Sequence, residues 1–133
     1  MWIARTLLAG FAIGLALIVL LPSEGHRVLG LVDTLAGLAS RAGVPYRVAF
    51  AAIEFAANIA LFVPLGLLLP HALGSTRPST LFATVTAGAA LSVLIELAQL
   101  AIPGRVSTPA DVLANTIGTS AGVWLLVITR IRR

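Results

Sequence analysis

Glu96-x-x-Gln99, then Arg105, then Asp111-x-x-x-Asn115-x-x-Gly118-x-x-x-Gly122 follow one another in a chain that is otherwise almost wholly apolar. A second pair, Glu54 and Asn58, stands four residues apart further upstream. Carboxyls, amides and one guanidinium can hold a polar ligand by hydrogen bonds and ion pairs. A carboxyl whose surroundings shift its proton affinity can also serve as a general acid or base. Inside a bilayer each ionisable group costs on the order of 3 kcal/mol by insertion scales. A lipid-soluble chain that keeps several beside one short loop therefore has a use for them. The three acids face Arg105, with Arg47 as a second source of positive charge. In a low-dielectric site, either one acid is neutral or a cation or cationic ligand group completes the set. Arg105 can form a bidentate pair with Glu96 or Asp111, or it can hold a lipid phosphate. The residues alone leave both open.

Composition fixes the class of protein. Of the 133 residues, 59% are hydrophobic and only 11% charged, against about 25% charged in soluble domains. Mean hydropathy is +1.03. The chain belongs to the membrane class. It has no Cys, so disulfides and thiolate metal sites are excluded. His26 and His71 are isolated, and there is no Gly-rich phosphate loop, His cluster or Ser-His-Asp order. No metal and no cofactor is expected. The net charge of +4 comes from arginines at the borders of apolar stretches and from Arg130, Arg132 and Arg133 near the C-terminus. Positive-inside anchoring explains that pattern, and nucleic acid is not expected as a partner.

Four apolar stretches must position the polar residues: 6–21, 51–69, 80–102 and 109–129. Each approaches or exceeds the length needed to cross the hydrocarbon core, roughly 20 helical residues, and Pro22, Pro70 and Pro103-Gly104 punctuate the ends. The first stretch is read as a retained helix rather than a signal peptide, with Gly10-x-x-x-Gly14 as a helix-packing face. Between the first two stretches, Val28, Leu31, Val32, Leu35 and Leu38 recur at helical spacing, while Arg27, Asp33, Ser40 and Arg41 fall largely opposite. That predicts an amphipathic helix over about 27–41 lying in the membrane interface, with Tyr46 and Arg47 as headgroup anchors. Four spans place both termini on one side. The compact C-terminal arginines favour the cytoplasm for them, leaving 23–50 and 103–108 outside.

Span parity then brings the chemistry together. Glu54 and Asn58 lie in the first turns of the second span, Glu96 and Gln99 near the end of the third, and Asp111 and Asn115 in the first turns of the fourth. Thr84, Gly88, Ser92 and Glu96 form a small-residue ridge on the third span, and Gly118 and Gly122 continue the face of Asp111 and Asn115. The third and fourth spans are expected to pack along these ridges. Pro64 and Gly66 mark a kink or a close contact in the second. Structural readings stand beside the functional ones. Thr108-Pro109-Ala110-Asp111 has the form of a helix start, with Thr108 as cap, Pro109 as first helical residue and Asp111 completing a capping box. Asn58 and Asn115 can serve as interhelical hydrogen-bond links.

These residues resemble the VanZ-like family of small integral membrane proteins. Asn58-Ile59-Ala60-Leu61-Phe62-Val63-Pro64-Leu65-Gly66 is similar to that family's N-x-x-x-F-x-P-x-G signature. Glu96, Gln99, Arg105, Asp111, Asn115 and Gly118 are similar to its E-x-x-Q…R…D-x-x-x-N-x-x-G signature. The likeness covers most of the chain from about residue 50 onward. Many family members carry further acids between the Arg and the Asp, where this chain has Thr108 and Ala110, which weakens any acidic metal cluster. Founding members are associated with low-level resistance to teicoplanin, so the resemblance implies a function in the cell envelope.

The expected fold is thus a single all-α membrane domain over 1–133, with four transmembrane helices and one interfacial helix, in the bacterial inner membrane. The expected partners are membrane lipids and an amphiphile held at the outer leaflet, either a lipid-linked cell-wall intermediate or a lipoglycopeptide. A homo-oligomer is open to it. The alternatives are an enzyme acting on a lipid headgroup, for which no nucleophile stands out, and an accessory protein whose polar cluster only locks helices together.

Overall fold

The computed structural model describes residues 2–20, 27–102 and 108–131, and within them every regular element is a helix. The helices are α1 (Trp2–Leu20), α2 (Arg27–Arg41), α3 (Tyr46–Leu73), α4 (Pro78–Gln99) and α5 (Pro109–Ile131). Three of them, α3, α4 and α5, are long and apolar enough to cross a membrane, whereas α1 is apolar but shorter over Trp2–Ile18. Of the four expected spans, three therefore meet both criteria.

Boundaries shift from the expected ones for local reasons. Pro70 does not end α3, which runs on to Leu73, a total of 28 residues. A proline removes the bond from its own missing N–H and crowds the carbonyl four residues back, and transmembrane helices accommodate both by local adjustment. The true stop is Gly74, whose φ of 66° is left-handed. Its N–H bonds the His71 carbonyl at 3.2 Å and the Ser75 N–H bonds the Pro70 carbonyl at 3.1 Å, the two bonds of a Schellman ending. At the other end α3 begins with Tyr46, since the Val48 and Ala49 N–H groups bond the Pro45 carbonyl. Helix α4 stops at Gln99 rather than 102, and α5 starts at Pro109, as the sequence indicates.

Helix α3 is the hub and packs against all four others. Leu15 of α1 meets Phe62 and Leu65 of α3 in the apolar core, flanked by Leu8, Phe11, Leu91 and Ile95. Gly10 and Gly14 take no part in this contact, because a Cβ on either would meet nothing within 4 Å. The expected packing face of α1 is therefore not used within the chain.

Helix α2 carries three faces where the sequence suggests two. Val32 and Ala36 are buried, while Leu31, Leu35 and Leu38 stay exposed and Asp33, Thr34, Ser40 and Arg41 face elsewhere. The helix leans sideways on α3. Its apolar edge is free for lipid, and the Tyr46 hydroxyl donates to the Asp33 carboxylate to tie its polar side to the start of α3. Apolar side chains also stay exposed on the long helices, among them Phe82, Leu94, Leu97, Leu113 and Trp124. A surface of that kind is solvated by hydrocarbon rather than water.

Candidate functional site

The site grows out of how closely α3 and α5 approach. A Cβ on Gly118 would overlap the Ile59 carbonyl oxygen, and one on Gly122 would overlap the Val63 carbonyl oxygen. Glycine leaves a Cα hydrogen aimed at each carbonyl, the arrangement of weak C–H···O bonds between helices. On α3, a Cβ on Gly66 would strike the Thr119 carbonyl and lie 2.8 Å from the Val123 nitrogen. Gly118 and Gly122 thus face α3, not α4, which corrects the expected pairing of ridges. The α4 ridge does face α5, but through other partners. Gly88 receives the Thr119 side chain, and Ser92 receives Asn115.

This approach sets the register that joins the polar residues. The Asn58 amide donates to Asp111 Oδ1 at 2.6 Å, bridging α3 to α5. The Thr108 hydroxyl donates to Asp111 Oδ2 at 2.8 Å, so both carboxylate oxygens are engaged. Asp111 also lies in the first turn of α5, where the helix dipole favours negative charge. The Thr108 N–H, which a full capping box would direct to Asp111, instead donates to Glu96 Oε2 at 3.0 Å. That bond carries the start of α5 onto the last turn of α4. Glu96 is only 8% exposed. Glu54 is half-buried on α3 and lies within coulombic range of Asp111.

Deeper in, Asn115 is 3% exposed and donates its amide to the Ser92 hydroxyl at 2.8 Å. The Thr119 hydroxyl bonds the Asn115 carbonyl at 3.0 Å. Asn115 Oδ1 is buried and has no hydrogen-bond partner. Exchanging the amide nitrogen and oxygen would leave a donor unpaired instead. In either orientation one buried polar atom of the amide is left unpaired, at a cost of about 1–3 kcal/mol.

The structure therefore brings Asn58, Asp111, Glu96, Asn115 and Glu54 to one end of the α3–α4–α5 trio. Gln99 is half-buried one turn beyond Glu96, and Arg47 is exposed at the start of α3. Arg105 lies outside the described residues. Pro64 sits in mid-α3, and Gly66 beside it provides the close contact that the sequence left as one of two possibilities. Among the described residues no group of three or more His, Cys, Asp or Glu could hold a metal ion. Two contributors escaped the sequence reading. Ser92 was assigned to packing but is also the Asn115 partner. Thr119 was not singled out, although it follows Asn115 by four residues and so shares its face.

The sequence model of the VanZ/LLP1 family matches residues 8–130, nearly the whole chain. No curated protein and no solved structure matches it.

Proposed function

The chain belongs to the VanZ/LLP1 family and is a membrane protein of that family, and from that premise we propose that its polar cluster is an outer-leaflet binding site for an amphiphile of the cell envelope. Two amphiphiles fit, a lipid-linked cell-wall intermediate and a lipoglycopeptide such as teicoplanin. In this reading α1 is a fourth span, both termini are cytoplasmic, and α2 lies in the outer interface with Leu31, Leu35 and Leu38 toward lipid. Glu96, Gln99, Asp111 and Asn115 shape the site, Glu54 and Asn58 close it from α3, and Arg105 is assigned an anionic group by sequence alone.

The observation that carries the proposal is the buried acceptor of Asn115 Oδ1. It lies inward of the Asp111 and Glu96 bonds with no exposed surface, so a headgroup donor would reach it only once the α4–α5 side chains rearrange. A second reading is favoured by the bonds themselves. Asn58–Asp111, Thr108–Glu96 and Asn115–Ser92 would also act as a purely structural lock on three helices.

The test is teicoplanin susceptibility of a sensitive Gram-positive host expressing the wild-type chain or Glu96→Gln at matched membrane abundance. The binding reading expects a raised inhibitory concentration with wild type that the variant loses. No effect from an abundant wild-type protein would remove teicoplanin, and would move the search to endogenous lipid intermediates. If the variant cannot be brought to wild-type abundance, the structural lock is favoured.

A further inference from the structure

At the opposite end of the bundle a groove of about 520 Å³ opens between α1, α3 and α5, lined by Ile3, Leu7, Leu68, His71 and Arg130 among others. That volume falls within the roughly 300–1,000 Å³ of small-ligand clefts. Its residues come from the first turns of α1 and the last turns of α3 and α5, so it sits at the end of the bundle opposite the polar cluster. Leu7 and Leu68 lie further from these helix ends than Ile3, His71 and Arg130. The lining thus joins apolar side chains, Leu7 and Leu68, to a cationic one, Arg130, the two chemistries of an anionic phospholipid.

Charge points the same way. Arg5 Nε donates to the Ala72 carbonyl at 3.0 Å, and Arg130 donates to the Thr76 hydroxyl. Both acceptors are neutral, so both positive charges remain uncompensated by those bonds. Arg77 follows Thr76 directly and is exposed. The acids among the described residues belong to the other end: Glu54, Glu96 and Asp111 in the polar cluster, and Asp33 against Tyr46 at the start of α3. Positive-inside anchoring accounts for Arg5 and Arg77 near the same end, whereas Arg130 is part of the lining of the groove itself, beside Leu7 and Leu68.

We infer that this groove is a binding site for one anionic phospholipid of the leaflet nearest the chain termini, with the phosphate at Arg130 and an acyl chain against Leu7 and Leu68. The site is distinct from the polar cluster and does not depend on how that cluster is used.

The experiment uses the full chain, delipidated in detergent and offered phosphatidylglycerol, phosphatidylcholine or inorganic phosphate, with retention read by native mass spectrometry. One phosphatidylglycerol per chain is expected, in clear preference to phosphatidylcholine. Arg130→Gln should weaken it by about fivefold, the effect of one basic residue beside anionic lipid. Ala4→Phe, which keeps every charge but crowds the groove, should weaken it too. Arg130→Lys should restore much of the retention, which a merely misfolded variant would not. Equal retention of both lipids would overturn the proposal, as would retention untouched by either variant. Competition by inorganic phosphate as effective as by lipid would reduce the site to a cationic patch and also overturn it. Glu96→Gln should bind phosphatidylglycerol like wild type, which keeps this result separate from any failure at the polar cluster.

Discussion

Helix α5 meets its two neighbours in opposite ways. Against α3 it presents glycines to backbone, with Gly118 and Gly122 lodged on the Ile59 and Val63 carbonyls. Against α4 it presents its own side chains, with Asn115 on the Ser92 hydroxyl and Thr119 over Gly88. The first contact fixes distance and register and has nothing that can move aside. The second is made of groups that can rotate, exchange partners or pair with a ligand. The polar cluster therefore stands on a rigid α3–α5 frame, with an adjustable α4 boundary. Lipid offers no hydrophobic drive for helices to associate, so close packing of this kind has to supply it.

The severest way to break the frame is Gly118→Ala or Gly122→Ala. Each adds one methyl that overlaps a backbone oxygen, so a helix must shift. Overpacking usually costs about 1–3 kcal/mol, and these positions should reach the upper end or exceed it, because no flexible neighbour can yield. Unfolding by denaturing detergent in bicelles should show the loss, and folded yield should fall with it. Wild-type stability for either variant would mean that α3 and α5 do not approach this closely.

Next comes Asn58→Leu, which removes the donor to Asp111 Oδ1 and strands part of a carboxylate. Hydrogen bonds to charged groups are worth about 1.5–3 kcal/mol, so a loss in that range is expected in the same assay. Asn58→Asp should be worse than Asn58→Leu, since it sets a third acid beside Asp111 and Glu54. If the two variants are equally stable, charge at this end is screened by something other than Asn58.

The α4 side should respond more gently. Gly88→Ala meets the Thr119 side chain rather than backbone. Turning Thr119 would move its Oγ1 and Cγ2 but not its Cβ, 2.9 Å from the added methyl, and would break its hydroxyl bond to the Asn115 carbonyl. A cost of about 1–3 kcal/mol is expected, still below that of Gly118→Ala, whose added methyl would overlap a backbone oxygen. Ser92→Ala should cost about 0.6 kcal/mol, the usual worth of an interhelical hydrogen bond in a bilayer. If Gly88→Ala proved the more damaging of the two glycine changes, the division into a rigid and an adjustable face would be reversed.

Much of this was legible in the sequence because transmembrane helices obey few rules. Length and hydropathy locate α3, α4 and α5, and parity alone brings Glu54, Asn58, Glu96, Asp111 and Asn115 to one end. Thr108-Pro109 marks the start of α5 for a local reason, since Pro fits the first turn. What could not be read is which neighbour each small residue faces. Gly118 and Gly122 lie on the Asp111 side of α5, but a helix with two neighbours gives no sequence sign of which one takes the glycines. Pro70 reads as a stop, yet the αL turn at Gly74 is the stop, because the lost bond is local while the Schellman pair closes the helix end. The groove near Arg130 was invisible for a different reason. It is assembled from residues at both ends of the chain and the end of α3, joined by no motif.

A last small effect sharpens the comparison most, because it repeats the Gly118 substitution where the sign should reverse. Gly10 and Gly14 form the same small-residue spacing as Gly118 and Gly122, yet a Cβ on either meets nothing within 4 Å. In open space the change to alanine only removes the entropic cost of a helical glycine, roughly 0.5–1 kcal/mol. Gly10→Ala should therefore stabilise the protein slightly in the bicelle assay where Gly118→Ala destabilises it strongly. The measurement belongs at two protein concentrations. A stabilisation independent of concentration places the spacing outside any contact, so that backbone surroundings and not motif decide what a helical glycine is for. A destabilisation that grows with concentration would instead put a second copy of the chain on α1, and the motif would have its partner after all.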